Sequence, residues 1–203
     1  MKKLLERIKL CKLPPPQRRS LPFECYWEDS ILTQEQERIF SNQWLGLGRS
    51  DRLENPGEYE VFELCGQALV LIRNQEKELR LYANTCRHRG AKLLDGTGQC
   101  QAISCPFHGW TYSLDGNLKH AKTMAENPSF DFAEHSLVEY KLKELQGFLF
   151  GFLGNKPTDL SNQLGNFSEL HQPWSMNELV TTRRATFEAV SYTHLTLPTI
   201  LLV

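Results

Sequence analysis

The chain has no run of about 20 apolar residues, the length a helix needs to cross a bilayer, so no membrane span is expected. It lacks an excess of either charge. Its 23 Lys and Arg stand against 24 Asp and Glu, a formal net charge of -1, which gives no general reason to expect nucleic acid or an anionic membrane as a partner. An export signal is also missing, because Glu6, Arg7 and Lys9 break up what would have to be an unbroken apolar stretch. No internal repeat and no low-complexity segment occurs. Without an export signal, the six cysteines are expected in a reducing cytoplasm, where Cys and His in a pattern read as a metal site rather than a disulfide framework.

What remains is a soluble composition, 40% hydrophobic and 23% charged over 203 residues, enough for one domain with a core and part of a second. The first twenty residues hold seven Lys or Arg against one Glu, which leaves the rest of the chain at about -7. That basic arm reads as a solvated terminus. Thr33-Gln34-Glu35-Gln36 reads as a capping box, predicting a short helix from there to about Trp44 with Ile39, Phe40 and Trp44 buried. The period then changes. Residues 58–64, 67–73 and 78–82 read as strands of an antiparallel meander, separated by turn signals at Asn55-Pro56-Gly57, Cys65-Gly66 and Asn74-Gln75. Asp115-Gly116 predicts a hairpin between short runs, and residues 147–153 predict a closing strand with an aromatic face.

Two loops between these strands carry the chemistry. C-R-H-R-G-A starts at Cys86 and C-P-F-H-G-W at Cys105, so each offers one thiol and one imidazole: Cys86 with His88, Cys105 with His108, sixteen residues lying between His88 and Cys105. Two Cys and two His satisfy a tetrahedral structural zinc, and they equally suit a two-iron cluster. The C-x-H spacing of the first loop, Gly90 after it, and Pro106 and Gly109 in the second are unusual for zinc fingers. With those residues the two loops resemble the cluster-binding loops of the Rieske iron-sulfur family, in which two cysteines hold one iron and two histidines the other.

The resemblance narrows further at three positions. Cytochrome bc-type members have loops resembling C-x-H-x-G-C and C-x-C-H-G-S, with a disulfide between the loops and a serine that donates to the cluster. Here those positions are Ala91, Phe107 and Trp110, which implies a cluster at the low end of the Rieske potential range. Tyr112 matches the family's tyrosine and is expected either to hydrogen-bond a ligand cysteine or simply to pack as a strand aromatic. Together with W-T-Y-S-L-D-G after the second loop, and S-L-P-F-E-C-Y and E-R-I-F-S-N-Q-W-L near the start, these residues resemble the large subunit of Rieske non-haem iron oxygenases, the ring-hydroxylating dioxygenase family, over about residues 20–153.

That resemblance implies a mostly β fold: a Rieske-type antiparallel β domain binding a 2Fe-2S cluster, with a short N-terminal helix and without the α+β catalytic domain. The expected division is an arm and helix over 1–44, the Rieske domain over 45–155, the start of a truncated catalytic domain over 156–188, and a non-native tail over 189–203. Val190 to Thr199 can be spelled as codons of a transposon-end adapter used in sequencing libraries, so this tail is set aside from fold reasoning. The resemblance further implies cofactor binding by Cys86, His88, Cys105 and His108, and a mononuclear Fe(II) only in the missing domain. It implies a reductase or ferredoxin as electron donor and a homotrimer of the full-length subunit. The expected substrate is aromatic or a related organic compound. A quaternary-amine monooxygenase or demethylase on the same scaffold, a standalone Rieske ferredoxin and a zinc-binding module are the alternatives. Cys11, Cys25, Cys65 and Cys100 read as isolated thiols, and His120, His135 and His171 as surface or satisfied histidines. Arg87 and Arg89, flanking His88, suit an acidic partner or plain solvation.

Overall fold

Alternating apolar residues build most of the molecule between Trp44 and Phe152. The computed structural model describes residues 2–122, 124 and 126–183, so the adapter-like tail lies outside the described residues. Ten strands are present among them: β1 (Trp44–Arg49), β2 (Glu58–Leu64), β3 (Gln67–Arg73), β4 (Leu79–Ala83), β5 (Thr97–Gln99), β6 (Ile103–Ser104), β7 (Thr111–Tyr112), β8 (Leu118–His120), β9 (Glu139–Leu145) and β10 (Phe148–Phe152). Seven form one sheet in the order β1-β10-β9-β4-β3-β2-β5, and β6-β7-β8 form a second. All the strand pairings among the described residues are antiparallel. This is the mostly β, antiparallel architecture expected from the sequence.

β3 shows why the sheet sits where it does. Its residues Leu69 to Ile72 are all buried, so it is a central strand covered on both faces. Val70 and Ile72 face a cluster that includes Tyr82, Ile103, Tyr112 and Leu118. Leu69 and Leu71 face the opposite cluster with Leu53, Leu81 and Leu149. The β3–β4 register pairs Val70 with Tyr82 and Leu71 with Leu81, which keeps the alternate faces matched across the two strands. Burying each of these side chains contributes about 1.5–3 kcal/mol. The first cluster is what the small sheet packs into, and it also contains Cys86, Cys105 and Trp110.

The amino-terminal region departs from expectation. Lys2–Lys9 of the basic arm form α1, and Leu4, Leu5 and Ile8 share an apolar groove with Ile31 and Ile39. The next helix, α2, spans Asp29–Arg38 and therefore begins four residues before Thr33. The Thr33 hydroxyl donates to the Asp29 carbonyl one turn back, 2.9 Å away, rather than capping a helix start. Glu28, in extended backbone, and Asp29 at the first turn set the true start, where an acid suits the helix dipole. Trp44 is buried as expected, but in β1, whereas Ile39 and Phe40 are exposed.

Beyond β10, α3 (Leu160–Leu164) lies against β1, and α4 (Phe167–His171) packs through Phe167 on Phe148 and Phe150 of β10. The Trp44 N–H donates to Gln163 Oε1 (2.8 Å), Gln163 Nε2 donates to the Trp44 carbonyl (2.8 Å), and the Trp44 indole N–H donates to the Thr158 carbonyl (2.7 Å). Arg49 donates to the carbonyls of Met176 and Leu179, and Asp51 accepts from the Thr181 N–H. Among the described residues, no helix is long and apolar enough to cross a membrane.

Candidate metal centre

The two loops that carry the Cys and His candidates are built to one plan. In the first, Cys86 N–H donates to the Ala91 carbonyl (2.8 Å) and Gly90 N–H to the Cys86 carbonyl (3.0 Å). In the second, Cys105 N–H donates to the Trp110 carbonyl (2.7 Å) and Gly109 N–H to the Cys105 carbonyl (3.0 Å). Each turn closes through its glycine, with φ +73° at Gly90 and +70° at Gly109, a region that side-chain-bearing residues enter only at a cost. The first loop leaves β4; the second joins β6 to β7. Folding thereby brings together all four residues singled out in the sequence.

Their depth differs sharply. Cys86 and Cys105 are 2% and 3% exposed, whereas His88 is partly exposed and His108 is exposed. The two imidazoles meet edge to face with ring centroids 4.7 Å apart. His88 also stacks on buried Trp110, 4.8 Å away and 13° from parallel, while exposed Phe107 lies 4.2 Å from His108. All six cysteines are free thiols. Ala91 and Phe107 offer no sulfur with which to cross-link the loops.

Charge states follow from these surroundings. Burial pushes the Cys86 thiol up, and neighbouring Cys105 adds to the rise, while the Tyr112 hydroxyl favours the thiolate. The Tyr112 oxygen lies 3.3 Å from Cys86 Sγ and accepts from the Arg87 N–H at 3.0 Å. Burial also raises Tyr112 well above the ordinary phenol range, so its proton is available to a thiolate. It is both a packed core residue and a hydrogen-bond partner. Desolvation, with electrostatic contributions from neighbouring His108 and Arg89, lowers His88, which favours the neutral imidazole a metal requires.

Donor chemistry and burial test the fit of a cluster. The Nδ1 of His88 is buried and has no hydrogen-bond partner, the condition of an atom that would gain from a metal. Among the described residues, no three His, Cys, Asp or Glu side chains gather so as to hold one metal ion. The four candidates instead comprise two buried thiols and two shallower imidazoles. That set suits a two-iron cluster, whose protein ligands divide between two irons, better than one tetrahedral zinc.

Other candidates fall outside the centre. His120 ends β8 at the surface, and His171 Nδ1 contacts the Phe167 carbonyl at 2.7 Å. Cys100 packs at the margin of the core, its N–H donating to the Gly57 carbonyl, and burial pushes its thiol up. His135 is different. It sits 5.8 Å from Trp110 and 4.3 Å from Phe130, backing the indole on which His88 stacks. No spacing signal connects His135 to either loop; tertiary packing alone brings it there.

Residues 43–138 match the family model of the Rieske [2Fe-2S] domain. The chain is 34% identical over 151 residues to the carnitine monooxygenase oxygenase subunit of Escherichia coli strain K12, covering 74% of this chain and 40% of that protein. It is 29% identical over 162 residues to the glycine betaine monooxygenase oxygenase subunit of Chromohalobacter salexigens, covering 79% of this chain and 36% of the relative. The apo crystal structure of a quaternary ammonium Rieske monooxygenase superposes with a TM-score of 0.78 at 32% identity, over 83% of this chain and 50% of that one. The chain thus spans about 40% of the length of the curated relatives it matches.

Proposed function

We propose, from the premise that this chain belongs to the Rieske [2Fe-2S] family through residues 43–138, that Cys86, His88, Cys105 and His108 hold the cluster and pass electrons within an oxygenase subunit. When bound, the cluster takes up and releases one electron at a time. The observation that carries this reading is the pair of matching loops, each presenting one buried thiol and one shallower imidazole, with His88 Nδ1 buried and unpartnered. Cys86 and Cys105 would ligate from inside the core, and His88 and His108 from the surface side. Tyr112 holds a proton at the Cys86 sulfur, and Trp110 fixes the plane of the His88 ring. His108, exposed beside Phe107, presents the centre to a partner.

Reconstitution with iron and sulfide tests the assignment. The protein is expected to turn red-brown and, once reduced, to give the low average g-value of a cluster with nitrogen ligands. Replacing His108 with Ala should abolish or strongly impair assembly. A colourless protein with one bound zinc refutes it.

For the whole subunit, the similarity to carnitine and glycine betaine monooxygenases favours a quaternary ammonium substrate over the aromatic one expected from the sequence. A mononuclear Fe(II) site in the remaining part of such a subunit would perform the oxygenation. Electrons would come from a reductase, directly or through a ferredoxin, and cross between subunits of a homotrimer. On this reading the domain boundaries follow 1–44, 45–155 and 156–188, and the 203-residue chain carries electrons without oxygenating substrate. Substrate-dependent O₂ consumption by the full gene product, with L-carnitine and glycine betaine set against naphthalene, decides the substrate class. Activity confined to naphthalene overturns it.

A further inference from the structure

The two loops are shaped alike but closed differently. The second hangs inside a hairpin, where Ile103 pairs with Tyr112 and Ser104 with Thr111, so ladder bonds hold its mouth. The first leaves β4 and returns on residues that belong to no strand, with one isolated bridge between Thr85 and Lys92. A side chain completes the closure. Asn84, 1% exposed, donates from Nδ2 to the Leu94 carbonyl (2.8 Å) and accepts at Oδ1 from the Leu94 N–H (3.0 Å). Its own N–H donates to the Ala68 carbonyl of β3 at 2.9 Å. One primary amide therefore does what the peptide of a missing partner strand would do, tying both ends of the first loop to the large sheet.

We infer that Asn84 is a positioning residue that sets Cys86 and His88 in their metal-holding geometry. The inference rests on the assignment of those two residues as cluster ligands. A loop pinned at both ends needs little ordering when metal binds, and outer partners that orient ligands typically govern metal affinity by 10–100-fold. Without the clasp, half of the donor set hangs from a mobile loop while Cys105 and His108 stay in their hairpin.

Asn74 supplies the control. It is also 1% exposed and also uses both ends of its amide, donating to Asp115 Oδ1 (2.9 Å) and accepting from the Glu78 N–H (2.7 Å). It closes the β3–β4 turn and touches neither ligand loop. Wild type, Asn84→Ala and Asn74→Ala, each as the 203-residue chain, are reconstituted with iron and sulfide. Chelator-driven bleaching and the EPR g-anisotropy of the reduced cluster are then compared. Asn84→Ala should bleach at least about ten-fold faster with altered anisotropy, and Asn74→Ala should match wild type in both even where its melting temperature falls as far.

Hydrogen exchange on the metal-free proteins reads the same effect without a cluster. Asn84→Ala should speed exchange at residues 86–94 and leave 105–110 unchanged, which decides the matter if that variant assembles no cluster. Wild-type bleaching and anisotropy in Asn84→Ala, or exchange raised equally in both loops, overturns the inference. A wild-type chain that takes up no iron refutes the ligand assignment before any variant is read, and the inference falls with it.

Discussion

Replacing Tyr112 with Phe removes one oxygen from a fully buried ring and tests whether that hydroxyl acts on the sulfur of Cys86, 3.3 Å away. Reduction adds a negative charge to a cluster bound there, so a hydroxyl donating to the sulfur favours the reduced state. Hydrogen bonds to charged groups are worth about 1.5–3 kcal/mol against about 0.5–1.5 for neutral ones. The gain on reduction is then on the order of 1 kcal/mol, and about 59 mV corresponds to a tenfold change for one electron. Tyr112→Phe should lower the midpoint potential by about 40 mV and cost about 1 kcal/mol of stability, because the Arg87 N–H loses its acceptor. Tyr82→Phe is the matched control: Tyr82 is equally buried in the same cluster, and its hydroxyl contacts the Leu114 carbonyl at 3.4 Å. Protein-film voltammetry on both variants, with thermal melts alongside, separates the two effects. An unchanged potential in Tyr112→Phe, or an equal shift in Tyr82→Phe, would refute the reasoning.

With no disulfide between the loops and Trp110 where a serine donor would stand, the wild-type potential should titrate near the low end of the range of about -150 to +300 mV; a value near the top counts against the oxygenase reading. Trp110→Ala should cost about 3–5 kcal/mol in chemical unfolding, because it empties a buried site between His88, Phe130 and His135. Glu58 accepts from the Glu54 and Asn55 N–H groups and from Asn55 Nδ2, bonds that hold its carboxyl below the usual range. Its contribution is therefore present above the unfolded carboxyl value and is lost as pH falls through the lower folded one. The stability advantage of wild type over Glu58→Gln should shrink on acidification below about pH 4.5, and a pH-independent difference would show that Glu58 titrates unperturbed.

Strands β2 and β3 were legible to the residue because a short β-rich run bounded by Gly, Pro and Asn turns has few other solutions, whether it is mixed polar and apolar as in β2 or continuously apolar as in β3. The two Cys-His loops stood out for a different reason: paired Cys and His at fixed spacing is a pattern that metal chemistry selects whatever the fold around it. Thr33-x-x-Gln36 predicts the start of α2 four residues late, because the helix begins behind Glu28 with no side-chain cap and only Asp29 in its first turn, a start that carries no capping motif. The burial of Trp44 is legible in the sequence but its place in β1 rather than in the helix is not, since burial alone does not distinguish the two. Asn84 and His135 left no signal. Each acts on a loop through a partner that only tertiary structure supplies, Leu94 for one and Trp110 for the other.

The clasps at Trp44, Arg49 and Asp51 have a mechanical consequence. They anchor residues 158–181 to one end of the large sheet, and β10 and β9 stand between that end and β4, from which the first ligand loop departs. A load applied at residue 181 enters at Asp51, in the turn that follows β1, and that turn is tied through Arg73 to β3 and through Arg52 to β2, so the load spreads over several strands of the large sheet at once. Segments attached beyond the clasps therefore pull on strands to either side of β4, and the Cys86 loop that departs from β4 is held between them.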